Sequence, residues 1–432
     1  MKRFTAFVLL LCMALTLFAA CGNTIDDTPT TQPVPETEVT EPADQQQSDV
    51  SVPENAVPQG ETWNGIDIGF VSDNGLKYIW DQLDDNMKED YAAAMNAIKN
   101  EELSVVLPHG IPKEQMMDFI QFIYHGSIDY PYIGKQFYLS DIDGDDLLES
   151  YVISYDFTVA PDVEGAKALV SELNQKLDEI VAGMPDGTEY EKIKYLHDYL
   201  IFNCDYSENA SLPFTAYGAI VEKNATCQGY ADAMHLLLTR AGFEAMYTIG
   251  RGDRADVTHK WNYVRLSDGQ WYIIDPTWAD PTGKGDPNYI NYDYFLISDE
   301  EILLDHLEKH DCIYYTNPVA TSMDMCYHKS EGCFVTNFDE AYASAMEQAL
   351  ACANEGRRYI YLRTTDEETY NDIRAKLLVD SKDDPDDGKL GEILAAVKEQ
   401  TGVEYVTWSV YRAHKDGKGP LCFTVTIKKD GE

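Results

Sequence analysis

The stretch "NATCQGYADAMHLLLTRAGF", residues 224–243, decides how the rest of this 432-residue chain is read. Tyr230, Met234, Leu237, Leu238 and Ala241 recur at three and four residues, the stripe of an amphipathic helix. Thr226 is a suitable N-cap, Cys227 falls in the first turn and Gly242 stands where a C′ glycine belongs. A thiol there sits among unpaired backbone N–H groups at the positive end of the helix dipole, which favours thiolate, the nucleophilic form. Gly229 removes a side chain beside it and is expected to leave room for a substrate backbone. A cysteine at a helix start is by itself a common packing residue, so a base has to be sought elsewhere.

That base lies in "THKWNYVRLSDGQWYIIDPTWADP", residues 258–281. "HKWNYVRL" and "QWYIID" are aromatic and β-branched runs separated by "SDG", the pattern of a hairpin. Two loops are open. With a two-residue Asp268-Gly269 loop, Asp275 pairs with Asn262 and faces away from His259. With a three-residue Ser267-Asp268-Gly269 loop, Leu266 pairs with Gln270 and Asp275 opposes Trp261. His259 is then a diagonal neighbour on the same face, roughly 7–8 Å away between backbones, which two side chains can bridge. Only the second register allows a relay in which Cys227 attacks, His259 carries protons and Asp275 fixes the imidazole tautomer.

"CQGYA", "HKWNYV" and "DPTW" together resemble the three motif blocks of the transglutaminase-like superfamily, over roughly residues 160–300. The resemblance implies an α+β fold: a papain-like core in which a helix carrying the cysteine packs on an antiparallel sheet. It implies Cys227 as nucleophile, His259 as base and Asp275 as orienting group. An oxyanion hole would come from the Cys227 N–H and a donor in a preceding segment, Tyr217 being one candidate and a plain core tyrosine its alternative. Gly229, Trp261 and Trp278 are expected at the substrate cleft. The chain as a whole resembles clostridial-type secreted lipoproteins in which such a core is flanked by small domains. The implied activity is cysteine-dependent acyl transfer on protein or peptide amides through a Cys227 thioester. Peptidase-like hydrolysis is preferred, with transglutaminase or deamidase chemistry, or a non-catalytic binding module, as alternatives. Such a relay requires no cofactor and no metal.

The N-terminus reads as an address. Lys2 and Arg3 precede the apolar run "FTAFVLLLCMALTLF", too short for a comfortable membrane span, and "FAAC" ends at Cys21. That arrangement resembles the lipobox of bacterial lipoproteins, which implies lipidation of Cys21 and anchoring at the extracellular face of the membrane; an ordinary signal peptide is the alternative. Residues 21–60 follow as a tether with Pro29, Pro33, Pro35, Pro42, Pro53 and Pro58 and no Lys or Arg.

The remainder divides into an accessory α+β unit at 61–160, the catalytic unit at 161–310 and a C-terminal α/β sandwich at 322–432. In the first, "NMKEDYAAAMNAIKN" and "KEQMMDFIQFIYHG" have helical spacing, and "KQFYLS" and "ESYVISYDFTV" alternate as strands. Between those strands "DIDGDDLLE" places Asp141, Asp143, Asp145 and Glu149 at spacings suggestive of calcium, but its glycine is fourth rather than sixth, and an acidic turn fits better.

A net charge of -42 excludes nucleic acid as a partner, since phosphate binding depends on Lys and Arg. It also excludes adhesion to anionic lipid through a basic patch, leaving the lipid anchor as the membrane contact. The sequence sets no oligomeric state. Of nine cysteines, six remain besides Cys12, Cys21 and Cys227. For "CYHKSEGC" (326–333) a disulfide, free thiols or a site with His328 are all open. "HLEKH" places His306 and His310 at i and i+4, a weak zinc pattern without a third ligand. "RGD" at 251–253 is read as a chance match in the loop between the two motif blocks.

Overall fold

The computed structural model describes residues 61–133, 138–140, 147–152, 162–252, 257–280, 289–310, 312–377, 388–412 and 419–429. Cys21, the tether and Asp141, Asp143 and Asp145 lie outside them.

The N-terminal unit has helix α1 (Asp85–Lys99), strand β1 (Ser104–Pro112), helix α2 (Met116–Gly126) and strands β2 (Tyr138–Ser140) and β3 (Leu147–Val152). Asp84 caps α1 by accepting from the Met87 N–H at 2.9 Å. The three strands form an antiparallel sheet in the order β1-β3-β2. Strand β1 escapes a sequence reading because "SVVLPHGIP" carries a proline and Gly110 at φ 75°. The register shifts between Val106 and Ile111, which takes up those residues as a bulge. Glu149 of the acidic stretch is half-buried on β3.

Helices α3 (Val163–Ala182) and α4 (Glu189–Asn203) follow, α4 opening with a reciprocal Thr188–Glu191 capping box. Its stripe Ile193, Leu196, Leu200 and Ile201 is buried. Helix α5 (Cys227–Arg240) then leads to strands β4 (Glu244–Gly252), β5 (Val257–Arg265), β6 (Trp271–Ile274), the short helix α6 (Pro276–Ala279), and strands β7 (Phe295–Ile297) and β8 (His306–His310). These five strands make one antiparallel sheet, in the order β7-β6-β5-β4-β8.

Both faces of that sheet are covered. Ala245, Val264, Tyr272 and Ile274 pack with the helices α3–α5, while Met246, Trp261, Tyr263 and Ile273 pack with the N-terminal unit. Fully burying each such side chain contributes roughly 1.5–3 kcal/mol. Burial on both sides explains why the strands read as unbroken aromatic and β-branched runs rather than as a polar alternation.

The C-terminal unit comprises β9 (Phe334–Val335), α7 (Phe338–Glu355), β10 (Tyr359–Thr364), α8 (Glu367–Leu377), α9 (Lys389–Thr401), β11 (Tyr405–Arg412) and β12 (Cys422–Lys429). Its sheet runs β9-β10-β12-β11. An aromatic seam joins it to the central unit: Tyr292 and Tyr327 stack with ring centroids 3.7 Å apart, and the Tyr361 hydroxyl donates to the Ile290 carbonyl at 3.0 Å. Buried Arg363 also pairs with Glu301 across the seam. The seven cysteines among the described residues are free thiols, Cys326 and Cys333 included. Among the described residues no helix is long and apolar enough to cross a membrane.

Candidate active site

The hairpin register is Arg265↔Trp271 through Asn262↔Ile274, with Gly269 at φ 81°. The Leu266 N–H donates to the Gln270 carbonyl at 3.1 Å and the Gly269 N–H to the Leu266 carbonyl at 2.9 Å, closing a three-residue Ser267-Asp268-Gly269 loop. Continuing the ladder by one residue puts Asp275 opposite Trp261, on the face of His259. The two side chains meet there: His259 Nε2 donates to Asp275 Oδ2 at 2.6 Å.

Alternation along "HKWN" gives its four residues two tasks. His259 and Trp261 point to one face, while Lys260 and Asn262 point to the other and grip helix α5. Lys260 forms a buried ion pair with Asp232, and Asn262 Nδ2 donates to the Ala231 carbonyl at 2.9 Å. Lys260 Nζ also stands 4.1 Å from the centre of the Tyr247 ring. This clamp fixes the start of α5 against the strand carrying His259. Cys227 Sγ lies 4.0 Å from the carbonyl of Thr258, the residue before His259, near enough for its charge to act on the His259 ring. With Nε2 committed to Asp275, Nδ1 is the nitrogen left to face Cys227.

Thr226 is the N-cap residue, but its hydroxyl donates to the Pro213 carbonyl at 3.2 Å rather than capping the helix. Thr226 therefore consumes none of the first-turn N–H groups, which stay available to stabilise charge at the thiol. At the other end Gly242 takes φ 89° and the Phe243 N–H donates to the Leu238 carbonyl at 3.0 Å, a Schellman ending.

The electrostatics follow from burial and pairing. Burial opposes a charge on His259, yet Asp275 and then Cys227 outweigh it and carry the imidazole up to about 10. Burial likewise opposes the Asp275 carboxylate, but His259 and His306 hold it well below the ordinary carboxylate range. Asp275 Oδ1 accepts from the Thr277 and Trp278 N–H groups at 3.0 and 3.1 Å, so the same carboxylate caps α6. Each depends on the other: an ionised Asp275 in a dry site needs donors, and the imidazole needs a fixed acceptor.

The structure gives each of the other four expected site residues a definite surrounding. Gly229 is buried, and a Cβ there would lie 2.7 Å from both Ala225 Cβ and the Thr215 carbonyl. Its missing side chain makes room for the chain's own backbone, not for a substrate. The Tyr217 hydroxyl donates to Glu172 at 2.7 Å, which leaves it no proton to offer an oxyanion. Trp261 is fully buried and stacks on His259 at 5.7 Å, so it walls the imidazole rather than lining an open cleft. Trp278, half-buried, covers His259 from another side at 6.0 Å. It approaches closely because Gly252 lacks a Cβ, which would stand 2.8 Å from the indole. That is the use of the glycine in "RGD".

The sequence offers no reading of Tyr206 or Gln228, and it takes His306 only as half of a weak zinc pattern. Tyr206 stands close enough to Cys227 to feel its charge, and burial followed by Cys227 pushes its phenol up to about 12. Gln228 Nε2 donates to the Tyr124 hydroxyl at 3.2 Å, bringing the N-terminal unit to the residue beside Cys227. His306 and His310, four residues apart, lie on β8, where that spacing spans about 13 Å. His306 is buried, and its Nε2 donates to Asp275 Oδ2 at 3.0 Å. Asx spacing or periodicity carries no signal for any of these, because each contact crosses between elements.

Among the described residues two buried groups bring donor atoms within 4.8 Å of one another: His259, Asp275 and His306, and Asp293, His328 and Cys422. In the first, both rings already donate to the one Asp275 oxygen. In the second, the Arg363 guanidinium stands against Cys422 Sγ at 3.5 Å, a cation where a metal ion would need to be. His197, in "HDYL", is fully buried in packing and donates to Asp198 at 3.0 Å.

A helix that begins at a cysteine, packed on an antiparallel sheet whose adjacent strands bear a histidine and an aspartate, defines the papain-like class of folds. Residues 175–276 match the family profile of the transglutaminase-like superfamily. It is similar to the crystal structure of a TGase (19% identity, 34% of this chain and 45% of that one, TM-score 0.25). It is similar also to a candidate cysteine protease from Cytophaga hutchinsonii (16% identity, 31% and 53% of the two chains, TM-score 0.22). A third is the periplasmic domain of TgpA from Pseudomonas aeruginosa bound to ethylmercury (17% identity, 34% and 66%, TM-score 0.22). The chain thus spans less than two thirds of each of these structures. No curated protein sequence matches it.

Proposed function

We propose that the chain is a cysteine-dependent acyl-transfer enzyme acting on protein or peptide amides, with hydrolysis as its main outcome. The observation that carries this reading is the 2.6 Å bond from His259 Nε2 to Asp275 Oδ2, with Cys227 Sγ 4.0 Å from the carbonyl of Thr258, the neighbour of His259. Cys227 thiolate attacks the amide carbonyl carbon, forming a C–S bond and an oxyanion beside the N-terminus of α5. His259 gives the proton on Nδ1 to the amide nitrogen as the C–N bond breaks, releasing an amine and leaving a thioester. Water then attacks the thioester while His259 takes its proton, and the C–S bond breaks to free the acid and regenerate the thiolate–imidazolium pair. Asp275 keeps Nε2 protonated throughout, so Nδ1 is the nitrogen that exchanges. An amine in place of water would give transamidation by the same steps.

Casein incubated with the purified protein and a labelled primary amine tests this. Peptide release that disappears in Cys227→Ala supports hydrolysis. Label on casein without cleavage would make amine the acceptor, and neither product across varied protein substrates would sink the reading. We further place the enzyme on the outer face of the cell membrane through a lipidated Cys21, on the strength of "FAAC" after a charged and apolar leader. Cys21→Ala protein that still sediments with membranes would remove that placement.

A further inference from the structure

Behind Asp275 stands a second imidazole, His306, with a carboxylate against each of its ring nitrogens. His306 Nδ1 lies 2.8 Å from Asp305 Oδ1, and His306 Nε2 lies 3.0 Å from Asp275 Oδ2. Ionised carboxylate oxygens only accept, so between an ionised Asp275 and an ionised Asp305 both ring nitrogens carry protons, and an imidazole with two N–H groups is a cation. The other oxygens are already supplied with donors. The Tyr294 hydroxyl donates to Asp305 Oδ2 at 2.6 Å, and the Thr277 and Trp278 N–H groups donate to Asp275 Oδ1. The surroundings suit a cation as well. The ring is enclosed by Trp278 at 4.2 Å, Trp261 at 5.2 Å and Tyr294 at 5.7 Å between centroids, and it is 1% exposed.

We propose that His306 is a positioning residue held as a permanent imidazolium, which pins the Asp275 carboxylate and sets the pH range in which Cys227 and His259 operate. The proposal rests on the acyl-transfer reading above and deepens it. Each time His259 hands its proton to the leaving amine, the fully buried Asp275 would lose its counterion. His306 is a counterion that stays. The charged groups facing it are Asp275, Asp305 and His259, with Tyr294 behind Asp305 and Cys227 beyond His259. A positive charge in this place lowers the proton affinity of Cys227, His259 and Asp275 alike, so its removal moves their titrations toward alkaline pH.

The test uses full-length protein labelled with 15N-histidine, the His306 signal being assigned by its loss in His306→Gln. We expect both ring nitrogens of His306 to remain protonated between about pH 5 and pH 9. A neutral His306 tautomer at pH 7 would overturn the proposal. Cys227 alkylation by iodoacetamide is then followed against pH. In His306→Gln the acid limb should move up by about half a unit or more, with a several-fold lower rate at pH 7. An unmoved limb argues for a structural role only. Asp305→Asn with His306→Gln restores the hydrogen bonds without the charge, since the glutamine can accept from Asn at 305 and donate to Asp275. This pair should recover amplitude while the limb stays displaced; a wild-type limb would overturn the electrostatic role. If wild-type Cys227 reacts no faster than Cys352, the acyl-transfer reading fails and the pH-setting role with it, whereas the His306 signal still reports its charge.

Discussion

His259 reaches Asp275 because Gly269 turns the β5–β6 hairpin in three residues, which places both side chains on one face of the sheet. A two-residue turn would send them to opposite faces, since side chains alternate strictly along a strand. Gly269 at φ 81° occupies a conformation that a β-branched residue adopts only with strain. Gly269→Val should lower stability by about 1–2 kcal/mol in denaturant unfolding. A Cβ at Gly269 meets nothing within 4 Å, so Gly269→Asn, which tolerates the left-handed region, should cost much less. Equal losses for Val and Asn would show that the turn conformation is not what matters.

Asp275→Asn keeps an oxygen for the Thr277 and Trp278 N–H groups, so the chain should still fold. Its amide N–H, however, would donate to His259 Nε2 and drive the proton onto Nδ1, where it can no longer be taken from Cys227. Turnover of a cleaved substrate should fall about 10⁴-fold, the scale of the equivalent change in a triad hydrolase. Stability supplies a second readout. His259, raised from 6.5 to about 10, stabilises the fold fully below about 6.5 and loses that contribution as pH rises through about 10. Asp275, depressed from 3.8, contributes above 3.8 and loses its part as pH falls through its folded value. The difference in melting temperature between wild type and Asp275→Asn should therefore be widest between about pH 4 and 6.5 and should shrink on either side. A gap that widens above pH 10 would contradict the assignment.

Cys227 should outpace every other described thiol toward iodoacetamide at pH 7. It is partly exposed at a helix start beside His259, whereas burial pushes Cys204 and Cys352 up to about 12 and Cys312 to about 11. Burial also raises Cys326, Cys333 and Cys422. Peptide mapping after brief labelling is the measurement. His259→Ala should slow the Cys227 site about tenfold or more and leave the others unchanged.

The Lys260–Asp232 pair should behave as a clamp between α5 and β5. Lys260→Met strands a buried carboxylate and should cost about 3–5 kcal/mol, whereas Lys260→Met with Asp232→Leu should recover most of that loss. The double variant should still alkylate Cys227 more slowly than wild type if the pair holds the thiol against His259. A double variant with wild-type labelling kinetics would reduce the pair to packing.

Local chemistry in the sequence was enough to determine the helix that starts at Cys227, its glycine ending and the β5–β6 hairpin, and parity showed which of two registers would join His259 to Asp275. Those features depend on spacing within one element or across one turn, where periodicity and allowed backbone angles leave few choices. Tertiary structure alone decided the partners that arrive from elsewhere. Asp275 and His306 are 31 residues apart, and Tyr124 and Gln228 are 104 apart. "HLEKH" has helical spacing, yet it pairs with β4 as an edge strand, with His306 opposite Gly252. Gly229 serves the packing of residues 213–225 rather than a substrate, and Tyr206 rather than Tyr217 stands at the thiol. In each case the deciding term is burial against a distant segment, and no local pattern encodes which segment that will be.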